Sequence, residues 1–425
     1  MAISIATADQ LAAVTGTPSE FVPAHVRRIE SIDIFRGLNV LVMIFVDNLG
    51  MVAGLPWWTN HMPAAANGMT YVDMVFPAFL FLMGMSIPLS IGSRIAKGQA
   101  MSRVWAHVLA RSLGLVALGL FIANAPLADA RHTGIGTNLW IVLGFVSIGL
   151  SLLRFPEGKT RQKFFSILKY AGFALFILLM VIFRRTTADG HVAWLDFSDW
   201  EILGLLGWAY LSVSAIYLLT ERLAFRKRLV VLVFALAGFV TINALSTAGR
   251  LTWLNSLPPY AKPFEAGLSS LTMAGLLASL LIFGDRIVDD KIVLPFRQKV
   301  WWAVGAAAIL FSAGWLLRPL GISKIRDTPT WCLYCMAANV LIAVLLYWIA
   351  DVEHKSRWAG FSKAAGSNPL LAYFLPYIAY LIPKLSWLTA DGTEGWMGVG
   401  KSLLFTGFIL GIVTGLDRSK IRLRI

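Results

Sequence analysis

About a dozen apolar runs, each roughly 17 to 21 residues long, follow one another through this chain with only short polar interruptions, and that length is what a helix needs to cross hydrocarbon. They begin near Phe35, Tyr71, Arg103, Thr137, Phe165, Trp200, Arg228, Gly267, Gln298, Thr330, Ser367 and Met397. The composition agrees: mean hydropathy is +0.70, and 57% of residues are hydrophobic against 14% charged, which excludes an ordinary soluble enzyme. The predicted fold is therefore all-α, a polytopic transmembrane bundle of 11 or 12 spans. The doubt lies at the end of the chain, where Pro369, Pro376 and Pro383 should break or kink the eleventh run and Lys401 interrupts the twelfth.

A net charge of +14 would suit a nucleic-acid binder, but the basic residues alternate between loops. Arg27 and Arg28, Arg94 and Lys97, Arg154 to Lys163, Arg222 to Lys227, Arg286 and Lys291, Lys355 to Lys363, and the run from Arg418 to Arg424 all fall on one side. With about two-thirds of the Lys and Arg there, the positive-inside rule puts both termini in the cytoplasm for 12 spans. The loop from Pro56 to Thr70 then faces outward. We expect residues 1–30 to form a flexible tail without a cleaved signal peptide and residues 31–425 to form one integral membrane domain.

The first two runs hold an unusual share of polar residues. Asp33, Arg36, Val40, Met43 and Asp47 recur at helical spacing and share a face, with Asp47 and Asn48 near its outer end. Asp33 and Arg36 can pair, or can hold an anionic ligand. The outward loop carries His61 and no Lys or Arg. Imidazole titrates near neutral pH and can take a proton from an attacking amine or hydroxyl, although a lone loop histidine is more often a surface residue. Its neighbours add weight: Trp57 and Trp58 offer an interfacial wall, while Asn67, Thr70 and Asp73 are polar partners at the start of the second run. Asp73 either orients the imidazole or serves as a helix N-terminal acid.

At these residues the motif D-x-F-R-G, then M-x-F-V-D-N, then H…N-G-x-T-x-x-D-x-V-F-P-x-F-x-F-x-M-G, resembles the heparan-α-glucosaminide N-acetyltransferase family. WEILGLLGWAYL (Trp200 to Leu211), a P-x-W before the tenth run and GSNPLLAYFLPY (Gly366 to Tyr377) are similar to that family's bacterial branch. The resemblance implies transfer of an acetyl group from cytoplasmic acetyl-CoA to the amino group of glucosamine or a related amino sugar on the periplasmic side of a bacterial inner membrane. It further implies a homodimer. The family's active-site histidine falls on His61, and its catalytic asparagine falls on Asp47, with Asn48 alongside, so which of the two fills the polar slot stays open.

A thioester carbonyl attacked by an amine needs a base and an oxyanion donor, roles that His61 and Asn48 fit. Direct attack in a ternary complex and a route through acetyl-His61 both remain open. Coenzyme A requires cations for its phosphates: Arg36 is the first candidate and Arg111, two turns into the third run, the second, unless Arg111 pairs with Asp33. Asn368 and Tyr373 are candidate linings of the same cavity, and Trp57, Trp58 and Asn67 candidate acceptor contacts. No metal, nucleic acid or further cofactor is implied.

Cys332 and Cys335 are spaced C-x-x-C, but no second ligand pair accompanies them and they open an apolar run, so we read them as packed thiols. The loop Arg184 to Asp199, with Asp189, Asp196 and Asp199, either lines an amino-sugar entrance or is an ordinary solvated loop, and Glu265 has the same two readings. Two other functions suit the pattern: a sugar or amino-sugar transporter, and an O-acetyltransferase of a cell-envelope glycan.

Overall fold

The computed structural model describes residues 29–154, 162–255, 266–287 and 294–423. Residues 1–28 of the expected tail and Glu265 lie outside them, whereas Glu30, expected in the tail, opens the first helix. Twelve principal helices run through the described residues: α1 Glu30–Leu49, α2 Val75–Ala96, α3 Met101–Asn124, α4 Thr137–Leu152, α5 Gln162–Ile182, α6 Glu201–Leu219, α7 Phe225–Thr247, α8 Ala266–Ile287, α9 Phe296–Leu316, α10 Pro329–Tyr347, α11 Pro369–Tyr380 and α12 Gly395–Arg418. Nine of the described helices are long and apolar enough to cross a membrane. The other three of the twelve depart for identifiable reasons. In α1 the apolar run is interrupted by Glu30, Asp33, Arg36 and Asp47, while α4 and α11 are apolar but short. This is a polytopic helical membrane protein, the architecture in which every backbone polar group is satisfied within its own segment.

Among the described residues, strands are confined to four two-residue pieces, β1 Leu153–Arg154, β2 Arg185–Thr186, β3 Val192–Ala193 and β4 Arg422–Leu423. β1 pairs antiparallel with β4, and β2 with β3 as a hairpin. The β1–β4 pair ties the α4–α5 connection to the end of the chain. On that same side Asp351 caps α1, accepting from the backbone N–H groups of Glu30 (3.2 Å) and Ser31 (3.0 Å), and Lys363 pairs with Glu30 at 2.9 Å. At the other ends of the helices, Gly68 donates to the Ile322 carbonyl, Asp129 to that of Arg184 and Ala53 to that of Thr393. Loops expected on one side thus meet only loops of that side in these contacts.

Helices approach most closely where glycine removes the side chain. A Cβ on Gly84 of α2 would collide with the Thr272 carbonyl of α8, and one on Gly275 of α8 with the Phe81 carbonyl of α2. Gly37 of α1 and Gly366 of the short helix Lys363–Ser367 meet in the same manner, against Ser362 and Asp33 backbone atoms. Small residues at such crossings let backbones pack where lipid offers no hydrophobic drive. α8 is the most enclosed long helix, whereas α5 and α7 are mostly surrounded by lipid-facing space.

The proline-rich segment breaks where expected. Helix stops at Asn368 (φ −135°, ψ 54°), restarts with Pro369 in its first turn and gives way to a 3₁₀ stretch from Pro383. Lys401 does not interrupt α12, which runs unbroken for 24 residues.

Candidate functional site

His61 stands in the loop joining α1 to α2. Its Nδ1 lies 2.7 Å from Asp73 Oδ1, and its side chain is 44% exposed while that of Asp73 is 1% exposed. Asp73 sits in the 3₁₀ turn Val72–Met74 that precedes α2. Its Oδ2 accepts from the backbone N–H groups of Thr70 (2.9 Å) and Met62 (3.3 Å), and its own carbonyl accepts from Trp331 Nε1 at 3.2 Å. Of the two roles that the sequence left open, the hydrogen bonds show the first: the carboxylate holds the imidazole and ties down the loop before α2, and it makes no capping hydrogen bond to that helix. With Nδ1–H donated to Asp73, Nε2 is the nitrogen left to act as a base.

The imidazole has a second neighbour that sequence reasoning missed. Lys324 Nζ lies 3.3 Å from His61 Nε2 and 3.5 Å from Nδ1. The α9–α10 loop brings it there, because Ile322 N–H donates to Asn67 Oδ1 (2.8 Å) and Gly68 N–H to the Ile322 carbonyl (2.9 Å). Burial pulls the Lys324 ammonium below the usual lysine range, against the attraction of Asp73, Asp47 and Glu201. Nothing in the sequence singles Lys324 out, since Arg318 and Arg326 share its loop. Asn67 is used in this loop clasp through its side-chain oxygen, which accepts from Ile322, while the residue itself stays exposed in the loop of His61. Trp57 and Trp58 are 69% and 50% exposed at the rim of the loop.

Adjacent residues on α1 point about 100° apart, and this separates the two candidates for the polar slot. Asp47 is exposed, within electrostatic reach of both His61 and Lys324. Asn48 is fully buried on the other face. Its Oδ1 accepts from Ala390 N–H and Ser402 Oγ, each at 3.1 Å, and its Nδ2 donates to Tyr380 Oη at 3.3 Å. This corrects the expectation that Asn48 offers its amide to a reacting carbonyl: the amide is spent joining α1 to α11 and α12. Asp47, not Asn48, is the member of the pair within electrostatic reach of His61.

A cavity of about 870 Å³ opens between α1, α2, α3, α6 and α11 on the opposite side. Asp33, Arg36, Arg94, Lys97, Arg111 and Arg422 line it together with Leu, Ile, Met and Phe side chains, so its wall is basic in part and apolar in part. Arg36 pairs with Asp33 at 3.6 Å and donates to Ser86 Oγ (3.0 Å) and the Gly366 carbonyl (3.3 Å). Arg111 lies over the Tyr210 ring at 4.8 Å, and among the described residues no carboxylate is within ion-pair distance of it, which corrects the pairing with Asp33. Tyr373 lines the cavity as expected. Asn368 does not: it is fully buried, donating to the Ile421 carbonyl (3.0 Å) and accepting from Leu423 N–H (3.1 Å), because the non-helical backbone there turns its amide onto the C-terminal strand.

Tyr373 belongs to a hydrogen-bonded group whose other members, Glu201 and Tyr377, the sequence did not single out. Tyr373 Oη donates to Glu201 Oε2 at 2.6 Å, and Tyr377 Oη to Glu201 Oε1 at 3.4 Å. Glu201 opens the WEILGLLG motif, the one clue to it. In the α5–α6 loop, by contrast, Asp196 pairs with Arg185 (3.2 Å) and Asp199 accepts from Glu201 N–H (2.9 Å), so both serve the loop's own structure. The Ser198 hydrogen bonds hold the Asp196 carboxyl below the usual carboxylate range.

These features define a multi-pass membrane protein with an imidazole–carboxylate pair at one side of the bundle and a partly basic cavity at the other. The chain belongs to the DUF5009 family, described as a domain of unknown function, which matches residues 28–267 and includes heparan-α-glucosaminide N-acetyltransferase-like proteins. It is 39% identical over 97 residues to heparan-α-glucosaminide N-acetyltransferase of Homo sapiens, and 37% identical over 97 residues to that of Mus musculus. Each match covers 23% of this chain and 14% of the curated relative's length.

Proposed function

We propose that this protein is a membrane acetyltransferase that takes an acetyl group from acetyl-CoA entering the basic cavity on the cytoplasmic side. The acceptor is the amino group of glucosamine or a related amino sugar on the periplasmic side of a bacterial inner membrane. The single observation that carries this reading is the arrangement of His61 on Asp73 opposite a cavity whose wall holds Arg36, Arg94, Lys97 and Arg111. Such cations suit the phosphates of coenzyme A, and the apolar part of the lining suits its pantetheine arm. His61 Nε2 takes the proton of the attacking amine while Asp73 stabilises the imidazolium, and attack occurs directly in a ternary complex.

Lys324 favours a second reading. An ammonium beside the base repels a cationic acceptor and tolerates a neutral hydroxyl, so O-acetylation of a glycan is the alternative for the nucleophile. Purified protein in vesicles, given acetyl-CoA on one side and glucosamine on the other, should release coenzyme A and form N-acetylglucosamine. His61→Ala should abolish both while the protein remains folded. Passage of unmodified sugar without coenzyme A release would make it a transporter instead.

A further inference from the structure

The proposed reaction leaves a proton problem that the positions of Glu201, Tyr373 and Tyr377 answer. The attacking nitrogen gives up its proton at His61, while the departing coenzyme A sulfur needs one inside the cavity, and His61 is not among the residues lining that cavity. Tyr373 is a lining residue. Its hydroxyl is 2.6 Å from Glu201 Oε2 and 3.2 Å from Tyr377 Oη, and Tyr377 in turn reaches Glu201 Oε1. Tyr377 lies one helical turn nearer the outer end of α11 and within electrostatic reach of Asp47, which is itself within such reach of His61 and Lys324. Among the described residues Glu201 has no cation at ion-pair distance, and Asp199 is the nearby acid. Its backbone is also left-handed, with φ 52°, a conformation that a residue bearing a Cβ adopts only when its surroundings impose it, and one that clusters at functional sites.

Building on the acetyltransferase reading, we propose that Tyr373 protonates the leaving thiolate and that Glu201 supplies Tyr373 with that proton. As the C–N bond forms and the C–S bond breaks, the electron pair of C–S passes to sulfur. Once Glu201 is protonated, the Tyr373 hydroxyl, which donates to Glu201 Oε2 at rest, turns to sulfur and accepts from the carboxyl. Its O–H bond then breaks as S–H forms, and the phenolate takes the Glu201 proton. The imidazolium of His61 returns its proton inward by way of Asp47 and Tyr377 to recharge Glu201. The sum is transfer of one proton from nitrogen to sulfur, with no other reactant. Tyr373 is the catalytic residue, since it touches the donor, and Glu201 acts through it.

One structural alternative exists: Glu201 Oε2 also accepts from Leu203 N–H at 3.3 Å, as a helix cap does. Glu201→Gln keeps an oxygen for that bond and loses the proton. The test compares acetyl-CoA with the acetyl thioester of a nitro-substituted thiophenol, whose thiolate leaves without protonation, using glucosamine as acceptor. Glu201→Gln should lower kcat with acetyl-CoA about 100-fold, as loss of a general acid does, and leave kcat with the aryl thioester within about 3-fold. Tyr373→Phe, which preserves the ring packing, should give the same split should the first variant fold poorly. An equal loss with both donors overturns the relay and leaves Glu201 a cap. A wild-type protein inactive with every donor removes the acetyltransferase reading itself, an outcome distinct from the loss of the split.

Discussion

At the scale of single residues, the neighbouring pair Asp47 and Asn48 shows how a rotation of 100° on a helix assigns a role. Asn48→Ala removes a partner from Ala390, Ser402 and Tyr380 at once, and leaving buried polar groups unpaired costs about 1–3 kcal/mol each. Thermal unfolding of that variant should therefore fall by several degrees. Asp47→Ala, at an exposed position within electrostatic reach of His61, should keep its melting temperature and lose acetyl transfer; the opposite pairing of effects would return Asn48 to the chemistry. Lys324 carries a second expectation. Removing its charge beside the imidazole with Lys324→Met should lower KM for a cationic amino sugar by roughly tenfold, equivalent to about 1.4 kcal/mol. A rise in KM would instead make Lys324 an acceptor contact. Asp73, Asp47 and Arg36 were visible in the sequence because charged groups in or beside apolar runs are costly, and His61 because polar neighbours and the family motif surround it in the loop between them. Lys324 and Glu201 were not, because nothing in their local sequence says that a loop and a helix start from elsewhere converge there.

At the scale of elements, close glycine crossings and loop clasps hold these residues in register. Gly275→Leu would force α2 and α8 apart, since even a Cβ there meets the Phe81 carbonyl, and the folded yield in detergent should collapse, as size-exclusion chromatography would show. The outer loops have a milder latch. Asp129 accepts from Thr186 Oγ1 (2.6 Å), His132 Nδ1 (3.0 Å) and Arg131 N–H (2.9 Å), and these hydrogen bonds lower its carboxyl to about 2. A carboxyl depressed in the folded state stabilises it above the unfolded value of 3.8 and loses that contribution as the pH falls towards 2. Amide hydrogen exchange in the hairpin of β2 and β3 should thus quicken between those limits, and Asp129→Asn should remove the pH step. Helix existence was legible from apolar run lengths, and the break at Asn368 from its prolines, but the clasp of Asn67 with Ile322 joins residues 255 positions apart and leaves no periodic trace.

At the scale of the whole molecule, the bundle separates a wet imidazole on one side from a basic cavity on the other. If the cavity holds coenzyme A, Arg36→Gln and Arg111→Gln should each raise KM for acetyl-CoA about tenfold. The same variants should not affect a short acetyl thioester that lacks phosphates, because only the charge-assisted contacts are removed. Equal effects on both donors would place these arginines in the packing of α1 and α3 rather than at the ligand.

Membrane residence, a count of 11 or 12 helices, the break of the eleventh at its prolines and the gathering of polar residues in the first two runs were all legible in the sequence by itself. Run length, hydropathy and the cost of charge in hydrocarbon are properties of each segment alone, so they survive in one dimension. Only the tertiary structure decided that Asp47 rather than Asn48 lies within reach of His61, that Asn368 binds the chain's end instead of the cavity, and that Lys324 and Glu201 enter the site. Those outcomes depend on which helix faces meet across long stretches of sequence, and a buried polar group declares its role only once its partner is in place.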